Sequence, residues 1–99
     1  MTQPATWQDI LQKNAPEVFK MVNGARESVL TDGALSLKVK ILMTMLCDAL
    51  LGHADGVTNI ANRARAVGAT EEEIAETVGV AFLFGGMPAV VTGANAFKR

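Results

Sequence analysis

The stretch Gly68-Ala69-Thr70-Glu71-Glu72-Glu73-Ile74, followed by Gly85-Gly86-Met87-Pro88-Ala89, decides how the rest of the chain is read. Gly68 can enter the left-handed conformation that closes a helix. Thr70 can accept from the backbone one turn on, and Glu73 can reach back, which makes a capping box. Pro88 fits a first helical turn, where its missing N–H costs nothing. The two segments read as a helix end, a helix start, a break and a second start.

Outward from there, apolar residues recur at spacings of three and four, with no sustained alternation, so the whole chain is expected to be helical. A first helix is predicted over residues 7–13, capped by Thr6, with Trp7, Ile10 and Leu11 on its apolar side. Asn14 is the expected cap of a second helix, with Pro16 in its first turn and Glu17 at the capping-box position. Val18, Val22, Ala25 and Val29 form one stripe, and Asp32-Gly33 ends it. A third helix is predicted from about Ser36 to Leu51. Between Ile41 and Leu51 only Thr44 and Asp48 are strongly polar, so this helix is expected to be buried on nearly every side, in a domain centre, a subunit interface or both. Gly52 permits a tight break into a fourth helix over residues 53–67, with Val57, Ile60, Ala61 and Ala64 inward, making an antiparallel hairpin. A fifth helix over residues 71–84 turns Ile74, Val78, Ala81 and Phe82 inward. A sixth, over residues 88–97, carries the small residues Ala89, Gly93, Ala94 and Ala96, which let another helix approach closely.

Ninety-nine residues make a single domain, here spanning 1–99. Apolar residues make up 49% of the chain, with four Phe, one Trp and no Tyr, a mix that suits packed helices. So short a chain struggles to bury so much apolar side chain alone, and a homo-oligomer is expected. Net charge is −1 with Lys and Arg scattered, which argues against nucleic acid as a partner. No uninterrupted apolar run has the length of a membrane span, so no membrane partner is expected. Cys47 is the only cysteine, which rules out an internal disulfide and makes a cytoplasmic location the expectation. No cofactor is expected.

Chemistry has few places to sit. His53 is the only histidine and follows Gly52. It reads either as a proton-transfer residue at a helix start or as a polar residue at a helix junction. Cys47, in the most apolar stretch, reads as a structural thiol whose thiolate would be poorly solvated. Asp48 and Asp55 flank the same turn. With His53 they offer three mixed metal ligands of no recognised spacing, so no metal is expected and a solvated hairpin end is the simpler reading. The Glu71-Glu72-Glu73 run reads as dipole stabilisation and capping. Backbone N–H groups around Gly85, Gly86 and Met87 can hold a carboxylate or oxyanion, or the segment is a tight helix connection.

Leu35-Ser36-Leu37-Lys38, the 68–74 segment, Gly79-Val80-Ala81 and the 85–89 segment, in that order and spacing, resemble the carboxymuconolactone decarboxylase family, within the alkylhydroperoxidase D-like superfamily. The resemblance covers about residues 14–97. It implies an all-helical bundle that assembles into trimers or hexamers. The redox branch of that superfamily carries a Glu and then Cys-x-x-Cys-x-x-x-His ahead of the Gly-Ala-Thr segment. Counting back from Gly68, those positions hold Ile41, His53, Gly56 and Ile60. Every one departs from the pattern, and Cys47 matches neither cysteine. A two-cysteine cycle needs one thiol to attack and a second to resolve, so one thiol cannot close it alone. The histidine characteristic of the decarboxylase branch also falls at Ile60. His53 occupies the place of a reactive residue.

Three functions follow. The resemblance implies a carboxy-lyase acting on a small carboxylated lactone or aromatic-degradation intermediate, with His53 moving the proton and the 85–87 backbone holding the carboxylate. It also implies the thiol-dependent peroxidase activity of the superfamily, which here would rest on Cys47 and an external thiol. The lost motif points instead to a non-catalytic oligomer that binds a small molecule or a protein.

Overall fold

The computed structural model describes residues 4–98, which form helices and connecting turns with no strand among the described residues. In chain order the elements are α1 (Trp7–Asn14), α2 (Pro16–Val29), α3 (Leu37–Leu51), α4 (Ala54–Ala66), α5 (Glu71–Gly93) and a 3-10 turn (Ala94–Phe97). The chain divides into two compact units, one ending at Thr31 and one beginning at Asp32.

The first unit is the α1–α2 hairpin. Thr6 and Asp9 form a reciprocal capping box at the start of α1. The Arg26 guanidinium lies 5.2 Å from the centre of the Trp7 ring and clamps the two helices by a cation–π contact. Asn14 does not cap α2. Its side-chain amide donates back to the Ile10 carbonyl at 2.8 Å, and Ala15 takes the cap position with no side-chain hydrogen bond. With no capping side chain at Ala15, Glu17 completes no capping box. The helix ends at Val29, before Asp32-Gly33. No residue of either helix is buried, and Val18, Met21 and Val29 are exposed.

The second unit holds the core. Ser36 and Thr70 cap α3 and α5, each accepting from a backbone N–H one turn on. Lys38 donates to Glu73 at 2.8 Å between the first turns of α3 and α5. Near the far ends of the same pair, a Cβ on Gly85 would stand 2.8 Å from Leu50 Cδ2. The sequence offset is the same at both points, so α3 and the first arm of α5 run parallel. Gly52, at φ 79° and ψ 23°, closes α3 in the left-handed conformation and turns the chain into α4.

α5 is two arms. Gly86, at φ 65° and ψ −157°, breaks its helical geometry. A Cβ on Gly93 would meet Val78 Cγ1 at 2.9 Å. In a straight helix those positions lie roughly 20 Å apart at 1.5 Å per residue, so the chain folds back at Gly86. The expected fifth and sixth helices are thus present as antiparallel arms, and the sixth loosens into the 3-10 turn after Gly93. The segment Glu71–Phe97 has the length and hydropathy of a membrane span, but this reversal prevents it from crossing as one rod.

The core is built from Ile41, Met45 and Ala49 of α3, Val57, Ala61 and Ala64 of α4, and Ile74, Ala81 and Ala89 of α5, with Ala69 and Ala96 beside them. Ile60 is only half-buried, and Phe82 is exposed. α3 buries one stripe at spacing four instead of nearly its whole circumference. Val39, Met43, Leu50 and Leu51 remain exposed. Arg65 fastens the unit at the α4 end. Its guanidinium donates to both carboxylate oxygens of Glu71, at 2.7 and 2.9 Å, and to the Ala96 carbonyl at 2.8 Å. The hydrogen bonds that Arg65 donates to Glu71 outweigh desolvation and hold its pKa above the ordinary value. Thr58 adds a hydrogen bond to the Asn95 carbonyl.

Candidate functional site

The α3–α4 corner brings three polar features together. Asp48 lies in the last turn of α3, and its carbonyl accepts the N–H groups of Gly52 and His53. Those bonds wrap the chain around the helix end and carry His53 over the Asp48 side chain. The His53 Nδ1 is 2.9 Å from Asp48 Oδ1. His53 takes the N-cap position of α4 but makes no capping hydrogen bond, because its ring turns back to Asp48. A carboxylate only accepts, so Nδ1 carries the hydrogen and Nε2 is the ring nitrogen left for a ligand. The side chains are unequal: 56% of His53 is exposed against 20% of Asp48. A sheltered acid thus orients an open imidazole.

The other candidates fall as follows. Asp55 joins no cluster, and among the described residues no group of three His, Cys, Asp or Glu side chains has metal-binding geometry. Cys47 is exposed on this chain, contrary to the expected burial. It lies two residues from Met45 and from Ala49, on the side of α3 turned away from the buried stripe, because the helix packs along only one side. Gly85 is a packing residue: an added Cβ would strike Leu50 and Ala89. Gly86 makes the reversal, and Met87 is 63% exposed. Leu50 stands three residues before His53 and packs on Gly85, so the histidine corner and the 85–87 turn lie at the same end of this unit. Ile41, the position to which the resemblance assigns the redox glutamate, is a fully buried core side chain.

A second feature is an open apolar groove of about 230 Å³ between the parallel helices, lined by Val39, Leu42, Met43, Leu46, Thr77 and Val80. It contains no titratable side chain.

Sequence reasoning placed Asp48 at the turn without seeing that it would orient His53. The available signal was an Asp five residues before a His with a glycine between them, since a left-handed glycine at that point reverses the chain onto its own last turn.

A sequence model of the carboxymuconolactone decarboxylase family matches residues 16–99, across the division between the two units. An uncharacterized protein of Methanocaldococcus jannaschii is 28% identical over 93 residues, covering 94% of this chain and 87% of that protein. The crystal structure of an apo carboxymuconolactone decarboxylase family protein from Legionella pneumophila matches with a TM-score of 0.85 at 27% identity, covering 90% of this chain and 80% of that one. With a family model matching residues 16–99, most of its length, the chain belongs to the carboxymuconolactone decarboxylase family.

Proposed function

We propose that this chain is a decarboxylase-like lyase of its family, acting on a small carboxylated lactone or related ring acid within a homo-oligomer. The observation that carries the reading is the 2.9 Å hydrogen bond between Asp48 and His53, with the ring open to solvent. Asp48 fixes the ring orientation and tautomer, as a carboxylate hydrogen-bonded to the other ring nitrogen does for many functional histidines. Nε2 then takes up or returns the proton. In decarboxylation the bond to the carboxylate carbon breaks and carbon dioxide leaves. The electron pair passes into the conjugated lactone, and a proton that Nε2 has first taken up from water is delivered to carbon. General acid–base assistance of this kind contributes roughly 10²–10⁴-fold. The backbone of residues 85–87, at the same end of the unit, is the proposed carboxylate hold.

The test is carbon dioxide release from a panel of carboxylated lactones. Wild type is expected to turn over at least one, with His53→Gln slower by about 10²-fold or more. No release from any substrate, or equal release by the variant, defeats the reading.

The apolar groove between α3 and α5 favours a second reading, a non-catalytic binder of an apolar small molecule or partner segment. A peroxidase reading is weaker. Cys47 is open enough to meet a peroxide, but a sulfenic acid formed there has no second thiol in the chain to resolve it.

A further inference from the structure

The Asp48–His53 pair depends on a third position. Gly56 sits in the first turn of α4, and a Cβ placed on it would stand 2.8 Å from Asp48 Oδ2, 2.9 Å from Cγ and 3.1 Å from Oδ1. The first two are closer than a real Cβ stands to another atom, so one side must move. The Gly56 backbone is held in the helix, and Val57 beside it is completely buried. The Asp48 carboxylate turns about two side-chain bonds and is the part that yields. Its escape would break the hydrogen bond to His53 Nδ1.

We infer that Gly56 is a positioning residue: the absence of a side chain there admits the Asp48 carboxylate to the first turn of α4, and so sets the Nδ1–H tautomer of His53. The pair is built across one helical turn, with His53 and Gly56 spaced three apart on the same side of α4 and Asp48 reaching between them from α3. The inference rests on the proposed role of His53 but makes a claim about ring chemistry that stands without a substrate.

Helix propensity predicts the opposite outcome for the same substitution. Glycine inside a helix is less favourable than alanine. If Gly56 had no role beyond the backbone, Gly56→Ala would stabilise α4 and leave the imidazole untouched.

The experiment is long-range ¹H–¹⁵N correlation spectroscopy of protein labelled with ¹⁵N-histidine. The chain has one histidine, so its two ring nitrogens need no assignment against others. At a pH where the ring is neutral, wild type is expected to show the Nδ1–H tautomer. Gly56→Ala and Asp48→Ala should each lose that signature, with helical circular dichroism retained. The double variant Asp48→Ala/Gly56→Ala should match Asp48→Ala, because the added methyl then has no carboxylate to displace. Should Gly56→Ala alone be poorly folded, the double variant is expected to regain helical circular dichroism and thermal stability, because the carboxylate that the methyl strikes is gone; no recovery overturns the inference. An Nε2–H tautomer in wild type overturns the inference, as does an Nδ1–H signature that persists in Gly56→Ala. Carbon dioxide release is not part of this readout, so a failure of the lyase assay and a failure here are separate results.

Discussion

Lys38 donates to Glu73 Oε2 at 2.8 Å, while the other oxygen of the same carboxylate accepts the Thr70 N–H at 2.8 Å. One side chain therefore caps α5 and ties it to the first turn of α3. The lysine hydrogen bond is the largest cause holding the Glu73 pKa below its ordinary value, with the Thr70 backbone second. A carboxyl group lowered by folding stabilises the native state above its unfolded pKa of about 4.3, and that contribution fades as pH falls through the folded value. Glu73→Gln should lower the melting temperature at pH 7, and the gap to wild type should shrink towards pH 3. A gap that is constant across that range contradicts the assignment.

The reversal at Gly86 predicts the sign of a substitution elsewhere. In one continuous helix, Gly93→Ala would stabilise by about 1 kcal/mol. Folded back against Val78, the new methyl overpacks the contact and should cost about 1–3 kcal/mol. Adding Val78→Ala to Gly93→Ala should relieve the clash, although the truncation carries its own cost. Chemical denaturation of the single variants and the double variant measures the coupling.

Exposed apolar residues predict assembly. Leu83 is 73% exposed, Phe84 90%, Met87 63% and Val91 65%, all around the reversal of α5. Water-facing side chains of this size are the mark of a contact surface. Light scattering at micromolar concentration should give a mass of three or six chains, and Phe84→Glu should reduce it. A wild-type monomer that unfolds cooperatively would exclude the assembly.

Sustained turnover of an alkyl hydroperoxide with excess dithiol is expected to be absent, because Cys47 is the one thiol of the chain and no second cysteine can resolve its sulfenic acid. Peroxide loss followed over many equivalents provides the measurement. Turnover that disappears in Cys47→Ser with the fold intact would restore the thiol reading.

The helices were legible where the sequence carries its own punctuation. Thr70 with Glu73, Gly52 and Gly86 act within one turn of chain, and each appears where local chemistry puts it. Burial was less legible because it depends on partners far along the chain. Cys47 and Met45 look alike in an apolar run, yet only Met45 meets the core. Asn14 shows a similar limit: a good capping residue can be recruited by the preceding helix instead. At the site, His53 was legible as a residue of interest. Its link to Asp48 and the clearance at Gly56 arise from the close approach of α3 to α4, which no periodicity reports.

The most direct test of the functional account is calorimetric titration of the assembled protein with carboxylated lactones and aromatic acids, wild type beside His53→Ala. Saturable binding of at least one small carboxylate is expected, weakened about tenfold or more in the variant, equivalent to about 1.4 kcal/mol, with the oligomer mass unchanged. Binding of equal strength in both proteins, or none in either, would contradict it.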